Sequence, residues 1–130
     1  MIGYLDTNVL VRHLTGDPPE MAARATALLR SAMRLDVPDL IVAEVVYVLQ
    51  SFYRVPRERV ADLARAIVAF PAVRTDDPQR LLRAIELYER ERLDFADAYL
   101  VASAEQSPHR TVVSFDRRIG RVETVERVEP

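Results

Sequence analysis

The stretch IGYLDTNVLVRHLTG, residues 2–16, decides the fold class of the chain. Its first residues, IGYL, form an apolar run with the length of a short buried strand that ends at Asp6. The apolar residues of NVLVRHL then recur at helical spacing as far as Gly16, a residue type that often ends helices. The chain is therefore predicted to open with a strand followed by a helix.

Strands and helices continue to alternate along the rest of the chain. Apolar spacing and cap residues predict helices over 18–33, 40–53, 57–70, 77–92 and 95–105, and strands over 35–38, 72–75 and 111–115, with an edge strand near 123–128. Strands connected by helices pair in parallel and are covered on both faces. The expected fold is an α/β, three-layer α/β/α sandwich with a short, mostly parallel central sheet, and residues 1–130 are expected to form a single domain.

Two of these helices carry more specific expectations. In the predicted helix over 18–33, Met21 and Leu28 share an apolar face, whereas Arg24 is placed elsewhere on the surface. Asp39 precedes a strongly apolar helix and is predicted to be its N-cap.

Composition limits the chemistry that the chain can perform. The absence of cysteine excludes a disulfide framework, a thiolate zinc site and a cysteine nucleophile. No run approaches the roughly 18 consecutive apolar residues of a membrane span, and the start lacks the basic region of a secretory signal, so a cytoplasmic protein with no membrane partner is expected. The formal net charge of -2 provides no global basic field, so binding of nucleic acid has to depend on a local patch.

Two acids directly follow predicted strands. Asp6 comes after IGYL, and Asp116 comes after TVVSF. In open α/β sheets the carboxyl ends of the strands form the crevice where ligands bind, so both acids are expected at one rim of the sheet. An Asp after a strand is also a common cap of the segment that follows, and this structural alternative applies to both residues.

Two further acids lie inside strongly apolar helices. Glu44 is embedded in LIVAEVVYVL and Asp97 in FADAYLVASA, so both are expected to face protein rather than water. A buried carboxylate is kept when it is protonated, paired with Arg or bound to a cation, and all 18 basic residues of the chain are Arg. Four such acids together favour a cluster of oxygen ligands, which Mg²⁺ and Mn²⁺ prefer.

The order and spacing of these motifs resemble those of PIN domains, and in particular of VapC-type toxins from prokaryotic toxin–antitoxin pairs. The resemblance runs from about Ile2 to Ile119, nearly the whole chain. It is carried by LDTNVL at 5–10, the helix around Glu44, the pair Asp97 and Ala98, and SFD at 114–116.

The resemblance implies a set of catalytic acids that also hold Mg²⁺ or Mn²⁺. It further implies that hydroxyl and amide side chains beside these acids have accessory roles. The implied function is a metal-dependent endoribonuclease that hydrolyses RNA phosphodiester bonds, as the toxin of a type II toxin–antitoxin system. The alternative is a non-catalytic PIN-like module that binds RNA or protein. The implied acids are Asp6, Glu44, Asp97 and Asp116, and the accessory residues are Thr7, Asn8 and Ser114.

The partners implied by the resemblance are an RNA substrate, a small cognate antitoxin and a second copy of the chain in a homodimer. An antitoxin of this kind lays a helix into an apolar groove. A groove between the third and fourth predicted helices is expected to receive it, with pockets formed by Tyr47, Leu49 and Phe52.

Other polar residues near these motifs have more than one interpretation. LDFADAYL offers both Asp94 and Asp97, and the family's third acid precedes a small residue, which selects Asp97. Asp94 is predicted to cap the helix, with an accessory site role as the alternative. Arg12, Arg117 and Arg118 are candidates for contacts to phosphate, although an Arg pair after a strand is also typical of a solvated turn.

Overall fold

The computed structural model of the protein describes residues 2–31 and 34–130, and it has the predicted order of elements. Its helices are α1 (Thr7–Thr15), α2 (Pro19–Leu29), α3 (Asp39–Ser51), α4 (Arg57–Ala69), α5 (Pro78–Arg90) and α6 (Phe95–Glu105). Its strands are β1 (Ile2–Tyr4), β2 (Arg34–Asp36), β3 (Val73–Arg74), β4 (Thr111–Val113) and β5 (Glu126–Val128). The α/β fold class is confirmed. A 3-10 helix, Arg117–Arg121, was not predicted, because one short turn has no apolar periodicity to detect.

The chain forms two compact units, the first up to Pro78 and the second from Gln79 onward. In the first unit, β1, β2 and β3 form a parallel sheet in that order, with Gly3, Leu35 and Val73 in register. In the second unit, β4 and β5 pair in parallel. The prediction of parallel strands is confirmed, and the C-terminal segment supplies the expected edge strand.

The core of the first unit lies among its four helices and one side of its sheet. There α1 packs against α2 and α3, and α3 packs against α4. Side chains alternate across a strand, which leaves Ile2 and Tyr4 on the side opposite the core, with Tyr4 81% exposed. The prediction that β1 is buried is therefore wrong for these two residues. The fully buried side chains of this core include Leu10, Val37, Val42, Val45, Leu49, Val60 and Ile67.

The second unit has a core of its own. The guanidinium of Arg83 on α5 donates to both carboxylate oxygens of Glu105 on α6, at 2.8 and 2.9 Å. The ring of Tyr88 packs edge-on against Phe95, with 6.0 Å between the ring centroids. The helix α6 also contacts β4, and the 3-10 helix contacts β5. The fully buried side chains include Leu81, Ile85, Tyr88, Leu93, Val101 and Ile119.

Some helix ends differ from the prediction. Gly16 ends α1 as expected, with a φ of 71° that glycine adopts without a Cβ penalty, and its N–H donates to the carbonyl oxygen of Arg12 at 2.9 Å. The helix α2 ends at Leu29 rather than near residue 33, and residues 32 and 33 lie outside the described residues. In the part of the chain that the structure describes, none of the helices combines the length and apolar character needed to cross a membrane.

The start of α3 also departs from the prediction, because Pro38 rather than Asp39 is the N-cap residue. The N–H of Asp39 donates to Oδ2 of Asp76 at 2.9 Å, and the N–H of Asp76 donates to Oδ1 of Asp39 at 3.1 Å. The carboxylate of Asp39 therefore accepts a hydrogen bond from the loop that follows β3. Asp76 supplies the anionic acceptor at the N-terminus of α3, where the helix dipole favours negative charge.

Replacing Asp76 with Ala is expected to lower the free energy of unfolding by about 1–2 kcal/mol, because the first N–H of α3 loses its acceptor. Asp62→Ala is the matched control, since among the described residues Asp62 forms an exposed ion pair with Arg65, and its loss should cost less than about 1 kcal/mol. Urea denaturation followed by circular dichroism measures both changes. Equal losses in the two variants would contradict a specific role for the Asp39–Asp76 pair.

Candidate active site

Asp6 is the N-cap residue of α1, but its side chain does not act as the cap. Its backbone is extended, and its carbonyl oxygen accepts the N–H of Val9 at 3.1 Å. Its carboxylate is exposed and has no hydrogen-bond partner among the described residues. The alternative in which the Asp6 side chain caps the following helix is therefore wrong, and its carboxylate is accessible to a ligand.

Thr7 and Glu44 are brought together within the first unit. The hydroxyl of Thr7, a residue only 5% exposed, donates to Oε2 of Glu44 at 2.9 Å. Glu44 itself is exposed and forms no ion pair within the described part of the chain, so the expectation that it faces protein is wrong. The physical reason is that α3 leaves a face with Leu40 and Tyr47 exposed, and Glu44 shares that face. The apolar composition of this helix did not imply burial all round.

The groove residues predicted on α3 divide between two faces. Tyr47 and Phe52 are 69% and 77% exposed, as a docking surface requires. Leu49 is fully buried, so the prediction that it lines the groove is wrong. Residues two apart on a helix point in different directions, and Leu49 is on the core side together with Val42 and Val45.

Asn8 and Arg12 lie one turn apart on α1 and, with Asp6, border a cleft of about 430 Å³ between α1 and α2. Asn8 is exposed, and Arg12 donates to the carbonyl oxygen of Asp17 at 3.4 Å. Arg24 lies on the opposite wall, on the same face as the apolar residues of α2, which corrects its predicted placement. Its spacing, three residues after Met21, is the signal that could have found it.

Asp97 lies in the first turn of α6 and has two other acids near it. Burial raises the pKa of Asp97, the negative charges of Asp116 and Asp94 raise it further, and the positive charge of Arg118 partly opposes them. Asp97 is half-buried and has no ion pair with a described residue. The expectation that this acid faces protein is thus met in part, and the alternative of an Arg partner is not observed.

Asp116 is the third residue after the end of β4, and its side chain caps the 3-10 helix, so its structural alternative is borne out. Oδ1 of Asp116 accepts the backbone N–H of Arg118 at 3.0 Å, and the guanidinium of Arg118 donates to both carboxylate oxygens at 2.7 to 3.2 Å. These side-chain and backbone hydrogen bonds lower the pKa of Asp116 to about 2. The N–H of Asp116 donates to Oγ of Ser114 at 2.9 Å, so Ser114 positions the backbone of this acid.

Asp94 and the Arg pair also differ from their simplest interpretations. Asp94 is the N-cap residue of α6, yet its side chain forms no capping hydrogen bond. Its carboxylate instead lies 3.9 Å from Nη2 of Arg118, so the prediction that the Asp94 side chain caps α6 is wrong. Arg118 is exposed, as the solvated alternative expects, but its planar guanidinium pairs with the carboxylate of Asp116. Arg117 is exposed and has no partner among the described residues.

Each unit by itself offers oxygen donors of the kind that a hard divalent cation prefers. The first unit offers the carboxylates of Asp6 and Glu44 with the hydroxyl of Thr7, and the second offers three carboxylates, all of them oxygen donors. The raised pKa of Asp97 shows that its charge is disfavoured, and a bound cation would relieve that cost. Over residues 2–31 and 34–130, neither unit by itself gathers three acidic or histidine side chains in a geometry that could hold a metal ion.

The family of the chain follows from comparison with known proteins. The model of the PIN domain family matches residues 3–125. The chain therefore belongs to the PIN domain family, which confirms the resemblance found in the motifs.

Two individual proteins are similar to the chain. One is a VapC ribonuclease of Aquifex aeolicus (strain VF5), with 26% identity over 121 residues that cover 91% of this chain and 90% of that protein. The other is a solved structure of VapBC2 from Rickettsia felis bound to a DNA fragment from their promoter, with a TM-score of 0.40 and 16% identity, covering 99% of this chain and 98% of that chain.

The pKa of Asp116 in the metal-free protein is expected to be about 2, as set by Arg118. Arg118→Gln removes the guanidinium hydrogen bonds and should raise this pKa towards the ordinary Asp value of about 3.9, whereas Arg117→Gln should leave it low. Titration of the Asp116 carboxyl carbon by NMR measures both. A midpoint that stays low in Arg118→Gln would show that Arg118 does not hold the charge of Asp116.

Proposed function

We propose that this protein is a metal-dependent endoribonuclease and the toxin component of a type II toxin–antitoxin system. Membership of the PIN domain family and similarity to a VapC ribonuclease over most of both chains support the proposal. The observation that carries it is the acidic cluster of the second unit, where Asp97 has a raised pKa beside Asp94 and Asp116. A half-buried carboxylate with acidic neighbours, such as Asp97, gains from a bound cation.

In this proposal four acids from both units are the catalytic residues and hold Mg²⁺ or Mn²⁺. A divalent ion held by such acids lowers the pKa of a bound water and neutralises charge on the phosphate under attack. The hydroxyl of Thr7 orients Glu44 by donating to its carboxylate. Oγ of Ser114 positions Asp116 by accepting the backbone N–H of that residue. Asp94 is accessory because its charge acts on Asp97, and Asn8 and Arg117 are exposed near the acids, where a substrate can reach them. The four acids are Asp6, Glu44, Asp97 and Asp116.

The proposal includes partners and a location. The substrate is RNA, the inhibitor is a small cognate antitoxin, the active form is a homodimer, and the protein acts in the cytoplasm. The exposed apolar side chains of Leu40, Tyr47 and Phe52 on and just after α3 support a protein partner at that helix. A single PIN model spans residues 3–125, which supports one domain made of both units.

The purified protein is expected to cleave single-stranded RNA only when Mg²⁺ or Mn²⁺ is added, and to stop in excess EDTA. Glu44→Gln, purified in the same way, controls for contaminating nucleases and should lose about 100-fold or more of the rate. Gel analysis of an end-labelled RNA measures the cleavage. Cleavage that persists in chelator would overturn the metal mechanism, whereas RNA binding without any cleavage would favour the non-catalytic module.

Asp97 and Asp94 are expected to respond differently to the same substitution. Asp97→Asn should lower kcat about 100-fold or more at saturating Mn²⁺, while Asp94→Asn should retain activity within about tenfold. The reason is that the Asp94 side chain is 69% exposed and influences Asp97 only through its charge. Equal losses in two variants that both remain folded by circular dichroism would mean that Asp97 is not the third catalytic acid.

A further inference from the structure

The cleft between α1 and α2 ends at Asp6 and lies entirely within the first unit. Its volume of about 430 Å³ falls in the range of pockets that hold small ligands. Val9 and Arg12 line it from α1, and Met21, Arg24 and Leu28 line it from α2. The cleft therefore combines an apolar surface, two cations and one of the proposed catalytic acids.

The floor of this cleft is formed by Val9, Met21 and Leu28. Met21 is 44% exposed, and Val9 and Leu28 are partly exposed, so the floor is apolar surface left in contact with water. Covering such a surface is favourable, and the thioether of a methionine makes favourable contacts with aromatic rings. The floor fits a flat aromatic group such as a nucleobase.

Two guanidinium groups border the floor. Arg24 is exposed and has no hydrogen-bond or ion-pair partner among the described residues. Arg12 donates to the carbonyl oxygen of Asp17 at 3.4 Å, which is long for a hydrogen bond. A guanidinium group can donate two parallel hydrogen bonds to phosphate oxygens, and it can also stack on an aromatic ring. In a chain of formal net charge -2, these two Arg residues form a local patch that matches an anionic ligand.

We propose that the α1–α2 cleft is a nucleotide-binding subsite for single-stranded RNA, with a base on the Val9–Met21–Leu28 floor and a phosphate between Arg12 and Arg24. The base has to be unpaired in order to lie on the floor, which favours single-stranded RNA over a duplex. The inference rests on the proposed function, because it places the bound nucleotide beside Asp6 and hence beside the phosphate to be cleaved. A peptide would also cover the apolar floor, but two cations without a carboxylate partner among the described residues favour a polyanion.

Binding of a fluorescein-labelled single-stranded RNA of mixed sequence to the full chain in EDTA tests this subsite. Arg24→Gln should weaken binding about fivefold to tenfold and reduce the slope of log K against log salt by about 0.7, the value for one lost phosphate contact. Arg30→Gln is the matched control, because it removes the same charge from the end of α2 outside the cleft, and it should change the affinity less than about twofold. Met21→Ala should weaken binding about threefold without changing the salt slope, since it removes a contact to the base.

Arg24→Gln that binds with the same affinity and salt slope as Arg30→Gln would overturn the subsite and leave the cleft to another occupant, such as a protein segment. The measurement excludes metal, so its result is independent of cleavage. A wild type that cleaves RNA while Arg24→Gln binds normally would overturn the subsite and leave the proposed function intact. Selective loss of binding in Arg24→Gln, in a protein that cleaves no RNA under any metal condition, would support the subsite and overturn the nuclease proposal.

Discussion

Parallel pairing of the strands is the constraint on which the rest of this structure depends. Two parallel neighbours cannot be joined by a tight turn, so the chain has to return to the starting edge before the next strand begins. In the first unit α1 and α2 make this return between β1 and β2, and α3 and α4 make it between β2 and β3. The residues that follow the strands are thereby gathered at one edge. Asp39 and Asp76, which follow β2 and β3, meet there and exchange two hydrogen bonds.

Glu44, Asp97 and Asp116 differ in how far their surroundings stabilise their negative charge. The carboxylate of Glu44 accepts a hydrogen bond from the hydroxyl of Thr7. The carboxylate of Asp116 accepts hydrogen bonds from both the backbone N–H and the guanidinium of Arg118. Asp97 has no donor of this kind among the described residues, and burial together with its acidic neighbours raises its pKa. The environments of Asp97 and Asp116 thus push the two pKa values apart although both belong to one cluster. Within this cluster, Asp97 is therefore the acid whose negative charge is least compensated.

The surface of the first unit carries three kinds of side chain in separate places. Oxygen donors lie at the N-terminus of α1, Arg12 and Arg24 face the cleft beside it, and exposed apolar side chains such as Tyr47 lie on α3. A net charge near zero hides this arrangement, because the acids and the guanidinium groups cancel in the sum. What matters for binding is the local field in which each group lies.

The sequence by itself determined the α/β class, the order of the elements and the identity of the candidate acids, because apolar periodicity and positions after strands are local properties of the chain. Only the tertiary structure decided which side chains meet. Thr7 and Glu44 are 37 residues apart, as are Asp39 and Asp76, and no periodic pattern encodes such pairs. The exposure of Glu44 was likewise decided by packing, since an apolar helix has more apolar side chains than its neighbours cover. Local patterns set the face on which a residue lies, and the packing of distant segments decides what that face contacts.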